Sequence, residues 1–220
     1  FITEAVIARI ESGGLGYGFY DQPVPVVEAF KNRMGKAFGW EIQTSDVLRV
    51  HDVIQGLEWV IRTLTPDGSG IVVQTPVYPP FYSTIETSGR RWVSNPLIET
   101  DDGWELDFDH LEGIAADPDV SALLLCHPHN PCGLVMTEED LTKVVDIAER
   151  NDLLVISDEI HCDLVYAPHR HIPVASISEL ASERTVTITA ATKTFNMAGL
   201  RMAFVHTASE CYGPRLKEIS

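Results

Sequence analysis

Nothing in this 220-residue chain approaches 18 consecutive apolar residues, so no segment is a candidate for crossing a membrane as a helix. Basic residues are scarce: 16 Lys and Arg stand against 32 Asp and Glu, a formal net charge of -16 spread without long blocks of one sign. A nucleic acid would have to bind against that field, which excludes it as the expected partner. The four cysteines, Cys126, Cys132, Cys162 and Cys211, include no CxxC pair, and scattered thiols suit a reducing compartment better than a disulfide framework. Phosphate loops of the form GxGxxG or GxxxxGK[ST] follow none of the apparent strands, which weakens a nucleotide-binding reading. There is no internal repeat, no low-complexity stretch and no linker. The segment FITEAVIARIESG lacks the basic and apolar regions of a secretory leader. The expectation is a cytoplasmic protein whose partner is a small molecule, with no nucleic acid and no membrane.

What is present is an ordinary globular composition, 45% hydrophobic and 22% charged, in alternating helical and extended patterns. Helical spacing runs over residues 24–38 (Val27, Phe30, Met34, Phe38) and 53–64 (Val53, Leu57, Val60, Ile61, Leu64), the latter preceded by Asp52 as N-cap. Continuous apolar or β-branched runs at 71–75, 122–126, 153–157 and 184–190 read as buried strands, and 201–207 as one more. Between the second and third runs lies TEEDLTKVVDIAERN, opened by Thr137 with Asp140 three residues on, the pattern of a capped helix. Strands that do not alternate, separated by helices, predict an α/β three-layer sandwich with a mostly parallel central sheet, formed as one domain over residues 1–220. In such sheets ligands bind beyond the carboxyl ends of the strands, so chemistry is expected in the loops after residues 75, 126, 157 and 190. The chain opens on Phe1 already in helical spacing and stops in RLKEIS, which suggests a piece of a longer chain.

Those loops hold TPVYPPFY, HPHNPCG, SDEIHCDLVY and ATKTFNMAGLR. Each is ordinary turn or cap chemistry alone, but together they offer an amide, a carboxylate and an amine at one sheet edge. With GYGFYD, the ordered words resemble the fold-type I pyridoxal-phosphate enzymes of the aminotransferase class I and II superfamily. More narrowly they resemble the cystathionine β-lyase branch. The resemblance implies pyridoxal 5'-phosphate as cofactor, Lys193 as the lysine that forms the Schiff base, and Asp158 as the partner of the ring nitrogen. It further implies Asn130 on the ring phenolate, Tyr78 stacked on the ring and His161 near the ring oxygen. The phosphate would be held by the N-H groups of Val53 and Ile54, by Thr192 and by Arg201. Tyr17 matches a tyrosine that reaches the neighbouring subunit's phosphate, which implies a homodimer.

Two departures stand out. Ala190 takes the place of a phosphate-contacting serine, and Asp52 stands where a small hydroxyl residue is usual. The implied reaction is carbon-sulfur β-elimination from L-cystathionine or a related sulfur amino acid. Transamination is the alternative, and an effector-sensing regulatory module a further one. The same resemblance implies that a small C-terminal domain is missing and that this stretch does not turn over alone. The cluster Cys126, His127, His129 and Cys132 invites zinc, but its spacing fits no standard site, and no metal is expected.

Overall fold

The computed structural model describes residues 1–13 and 25–218. Helices α1 (Ile2–Glu11) and α2 (Pro25–Phe38) precede strand β1 (Val47–Val50) and α3 (Val53–Leu64). Then follow β2 (Gly70–Thr75), α4 (Pro80–Thr87), β3 (Arg91–Pro96), the hairpin β4 (Ile98–Thr100) and β5 (Gly103–Glu105), and α5 (Phe108–Ala115). The chain continues through β6 (Val120–Cys126), α6 (Glu138–Arg150), β7 (Leu154–Asp158), α7 (Glu179–Arg184), β8 (Thr185–Thr189), β9 (Ala203–His206) and α8 (Tyr212–Lys217).

Seven strands form one sheet in the order β1-β9-β8-β7-β6-β2-β3. The pairs from β3 through β8 are parallel, whereas β9 runs antiparallel to both β8 and β1. The expected three-layer sandwich is therefore present, and alternate residues of each strand explain its two cores. Ile71, Leu124, Ile156, Ile188 and Val205 meet α3 and α4 on one face; Val72, Leu123, Leu125 and Val155 meet α5 and α6 on the other. A third cluster joins α2 to β9 through Phe30 stacked on Phe204, ring centroids 4.4 Å apart.

Local chemistry sets the helix ends as the sequence indicates. The Asp52 carboxylate accepts the Gln55 N-H (2.9 Å) at the start of α3, and Thr137 and Asp140 form a reciprocal capping box on α6. The strand expected at 201–207 begins only at Ala203, because Arg201 has φ +35° and leaves the extended region. Among the described residues no helix is long and apolar enough to cross a membrane.

Candidate active site

The direction of the strands decides which side chains meet. The parallel strands β2, β6, β7 and β8 end at one edge of the sheet and deliver the segments carrying Tyr78, Asn130, Asp158 and Lys193. Because β9 is antiparallel to β8 and to β1, that same edge receives the end of β1 and the start of β9. Asp52 and the first turn of α3 follow β1; Arg201 precedes β9. Residues separated by 149 positions are brought together in this way, and the Arg201 Nη1 donates to Asp52 Oδ2 at 3.1 Å.

A cavity of about 210 Å³ opens at this edge. Of the residues singled out in the sequence, Val53, Ile54, Tyr78, Asn130, His161, Thr192, Lys193 and Arg201 line it, as do the two departures Asp52 and Ala190. Asp158 is the exception among the described ones. It is buried, lies beside Cys126 in the β6-β7 register, and is absent from the lining, which Cys126 shares. Tyr17 falls outside the described residues. Ile160, Ala198 and Met202 complete the wall and were not anticipated; Ile160 and Ala198 lie inside the loop words SDEIHCDLVY and ATKTFNMAGLR, whereas Met202 carried no signal.

The individual groups are held from behind. The Tyr78 ring packs edge-on against Phe81, centroids 6.0 Å apart. The Asn130 N-H donates to the Cys126 thiol sulfur at 3.3 Å, while no protein hydrogen bond claims the Asn130 side-chain amide among the described residues. The loop bearing Lys193 folds on itself through Met197 N-H to Thr192 O (2.9 Å). It is tied to α2 through Thr194 Oγ1, which donates to Asp163 (2.9 Å), itself paired with Arg33. Asp52 claims the Gln55 N-H, so the Val53 and Ile54 N-H groups, which no carbonyl of their own helix can reach, remain at the helix end. The positive φ of Arg201 is a strained backbone held at this site, worth on the order of 1–3 kcal/mol.

The electrostatics are set by burial. Burial pushes the Asp158 carboxyl from 3.8 up to about 7; the Ile160 N-H (3.1 Å) opposes this, the Glu159 charge adds to it and Lys193 opposes it. The Cys126 thiol is pushed well above its usual range by burial and then by the Asp158 charge, so it is an inert wall. Burial and the Lys193 charge hold His161 below the ordinary histidine value, against the Pro128 carbonyl. The histidines that suggested zinc point apart: His127 Nε2 lies 3.2 Å from Ile172 O, and His129 Nε2 lies 2.8 Å from Pro76 O. Among the described residues no group of three or more His, Cys, Asp or Glu is placed to hold a metal.

Comparison with known proteins places this geometry. The family model "Aminotransferase class I and II" matches residues 16–218. The chain is 38% identical over 204 residues to the cystathionine beta-lyase PatB of Bacillus subtilis, covering 93% of this chain and 52% of that protein. Cystalysin of Treponema denticola, whose crystal structure contains pyridoxal 5'-phosphate, superposes with a TM-score of 0.89 at 32% identity, over 97% of this chain and 54% of that one. N-succinyldiaminopimelate aminotransferase of Mycobacterium tuberculosis superposes with a TM-score of 0.89 at 27% identity, over 98% and 56%. The chain thus spans about half the length of the relatives it matches.

The donors around the cavity fit pyridoxal 5'-phosphate. A dianion needs N-H groups and a cation, which the α3 terminus and the Arg201 fork could supply, with the Thr192 hydroxyl beside them. A protonated pyridine nitrogen needs a carboxylate. Asp158, whose Oδ1 has one hydrogen bond and whose Oδ2 has none among the described residues, is a buried acid short of a cation.

Proposed function

The chain belongs to the aminotransferase class I and II family, and on that premise we propose that the protein is a pyridoxal-phosphate-dependent carbon-sulfur β-lyase acting on L-cystathionine or a related sulfur amino acid. The observation that carries the reading is the gathering of Tyr78, Asn130, His161, Lys193, Arg201 and the α3 terminus around one cavity with the buried Asp158 beside it. The names of relatives such as PatB support the lyase over the transaminase.

Bound there, the cofactor supplies an aldehyde that bonds the substrate amine and a ring that accepts the electron pair released at the α-carbon. The residues of this chain do the rest. Lys193 Nζ, held on its folded loop, takes the α-proton and passes it to the departing thiolate. Asp158 keeps a proton on the ring nitrogen, and its desolvated charge makes that interaction stronger than it would be in water. Asn130 would donate its free amide to the phenolate oxygen of the bound cofactor, and Tyr78, its ring braced by Phe81, would stack on the cofactor ring. Val53, Ile54, Thr192 and Arg201 anchor the phosphate. Loss of the thiolate from the β-carbon then leads, with one water consumed, to a free thiol, pyruvate and ammonia.

The whole protein is read as a cytoplasmic homodimer in which Tyr17 reaches the neighbouring subunit's phosphate; that part stands on the GYG word. The test is a steady-state assay of the full-length protein with L-cystathionine. Pyruvate and thiol released in equal amounts support the lyase, whereas amino-group transfer to an added keto acid without pyruvate establishes the transaminase in its place.

A further inference from the structure

Behind Asp158 lies a buried polar cluster that the chemistry above does not use. Strand alternation turns the Glu159 side chain away from the cavity into the interior, where only 2% of the residue is exposed. Its carboxylate accepts three hydrogen bonds: from His171 Nε2 (2.8 Å), from Ser157 Oγ (2.9 Å) and from the Val174 N-H (3.1 Å). Burial alone would raise its proton affinity, but the hydrogen bonds from His171 and the Val174 N-H, together with the neighbouring His127, outweigh it and hold the group ionised. His171 in turn lies against the His127 ring, centroids 4.7 Å apart, with Phe38 edge-on at 5.2 Å.

The backbone of the same cluster grips Asp158 from both sides. The His127 N-H donates to the Asp158 carbonyl (2.9 Å), and the Glu159 N-H donates to Ile188 O (2.8 Å). Thr189 Oγ1 donates to the Glu159 carbonyl (2.9 Å) just ahead of the loop that carries Lys193. The carboxylate therefore joins the end of β7 to the 171–174 segment, and the backbone it steadies is the stretch that bonds the ends of β6 and β8. A buried ion pair is weak evidence for stability, since apolar packing serves as well. Its place one residue beyond Asp158 points to a different role.

We propose that Glu159, held by His171, is a positioning residue for the cofactor's ring nitrogen: it fixes the backbone that aims Asp158 and adds a second buried negative charge that keeps that nitrogen protonated. This rests on the reading of Asp158 given above. Glu159→Gln separates the charge from the packing, because glutamine keeps an acceptor for Ser157 and Val174 and its amide faces a ring nitrogen of His171 that accepts in the other tautomer. His171→Phe is the second variant: it keeps a ring against His127 and Phe38 but removes the donor to Glu159.

The experiment uses the full-length protein reconstituted with pyridoxal 5'-phosphate labelled with ¹⁵N at the ring. Expected are a ring-nitrogen resonance in the protonated range for the unaltered protein, and in both variants a displacement toward neutral pyridine, with the ring-nitrogen pKa lowered by about one unit, roughly tenfold in proton affinity. Cofactor affinity, read by fluorescence quenching on the cofactor-free protein, falls in parallel. Thr137→Ala, a cap loss remote from the cavity, destabilises the fold without moving either signal. Variants that bind cofactor with an unshifted resonance overturn the proposal and leave the function standing. A neutral ring nitrogen in the unaltered protein instead overturns the reading of Asp158, and the proposal with it.

Discussion

Replacing Asp158 with asparagine should stabilise the cofactor-free protein while weakening its hold on the cofactor. The carboxyl is buried, and its pKa rises from 3.8 to about 7 chiefly through desolvation. A group that binds its proton more tightly when folded favours the folded state at low pH, and that advantage is lost as pH rises from 3.8 through about 7. Above that window the folded protein carries the full penalty of an ionised, desolvated carboxylate. A displacement of roughly three units at about 1.4 kcal/mol each gives an upper bound near 4 kcal/mol, and relaxation and partial hydration reduce this to about 2 kcal/mol. Asparagine keeps the acceptor for the Ile160 N-H and cannot ionise.

At pH 8, cofactor-free Asp158→Asn should therefore melt roughly 4–8 °C above the unaltered protein, at about 2–4 °C per kcal/mol. The gap should close near pH 4, where both side chains are neutral, and every other titrating group cancels in the comparison. Added pyridoxal phosphate should raise the melting temperature of the unaltered protein much more than that of the variant. Equal melting temperatures at pH 8, or a less stable variant, would refute the argument that Asp158 is a strained acid awaiting a cation.

Other consequences are measurable in the same protein. A Cβ on Gly56 would meet methyl groups of Val205, Ile188 and Val50 at 3.2–3.3 Å, all on stiff strand side chains. Gly56→Ala gains up to about 1 kcal/mol of helix propensity but meets about 1–3 kcal/mol of overpacking, so denaturant melts should show net loss and α3 should anchor phosphate less well; a stabilised variant contradicts this packing. Asp52→Asn keeps an equally good cap and breaks only an exposed pair worth about 0–1 kcal/mol. It should leave stability nearly unchanged and tighten cofactor binding in a fluorescence titration, whereas weaker binding would mean that Asp52 orients Arg201. Burial holds His127 and His206 near 4, so both are neutral when folded and their contribution is lost as pH falls from 6.5 through about 4. Acid melts should steepen below pH 6.5, and His206→Gln should flatten that slope.

How much of this was legible depended on the range of the interaction. The central strands announced themselves as apolar runs because they are covered on both faces. Edge strand β3, with Arg91 and Trp92 largely exposed, carries no such run, and β1 (VLRV) is too short to show one. The helix α4 opens on Pro79 and Pro80 and looked like a turn. The antiparallel course of β9 is invisible in its composition, yet it is what carries Arg201 to the α3 terminus. Around the cavity, residues within a loop word, such as Asn130, His161 and Lys193, could be placed by their motif. The pairing of Asp52 with Arg201 and of Glu159 with His171 could not, because each joins segments whose proximity only the sheet order creates.

The central claim is that Lys193 bonds the cofactor beside Asp158, and borohydride reduction tests it most directly. The full-length protein is loaded with pyridoxal 5'-phosphate, reduced, digested and mapped by mass spectrometry. The account predicts one stable phosphopyridoxyl label, on Lys193, lost in Lys193→Ala. A label confined to another lysine, or none on a folded and cofactor-saturated sample, would contradict it.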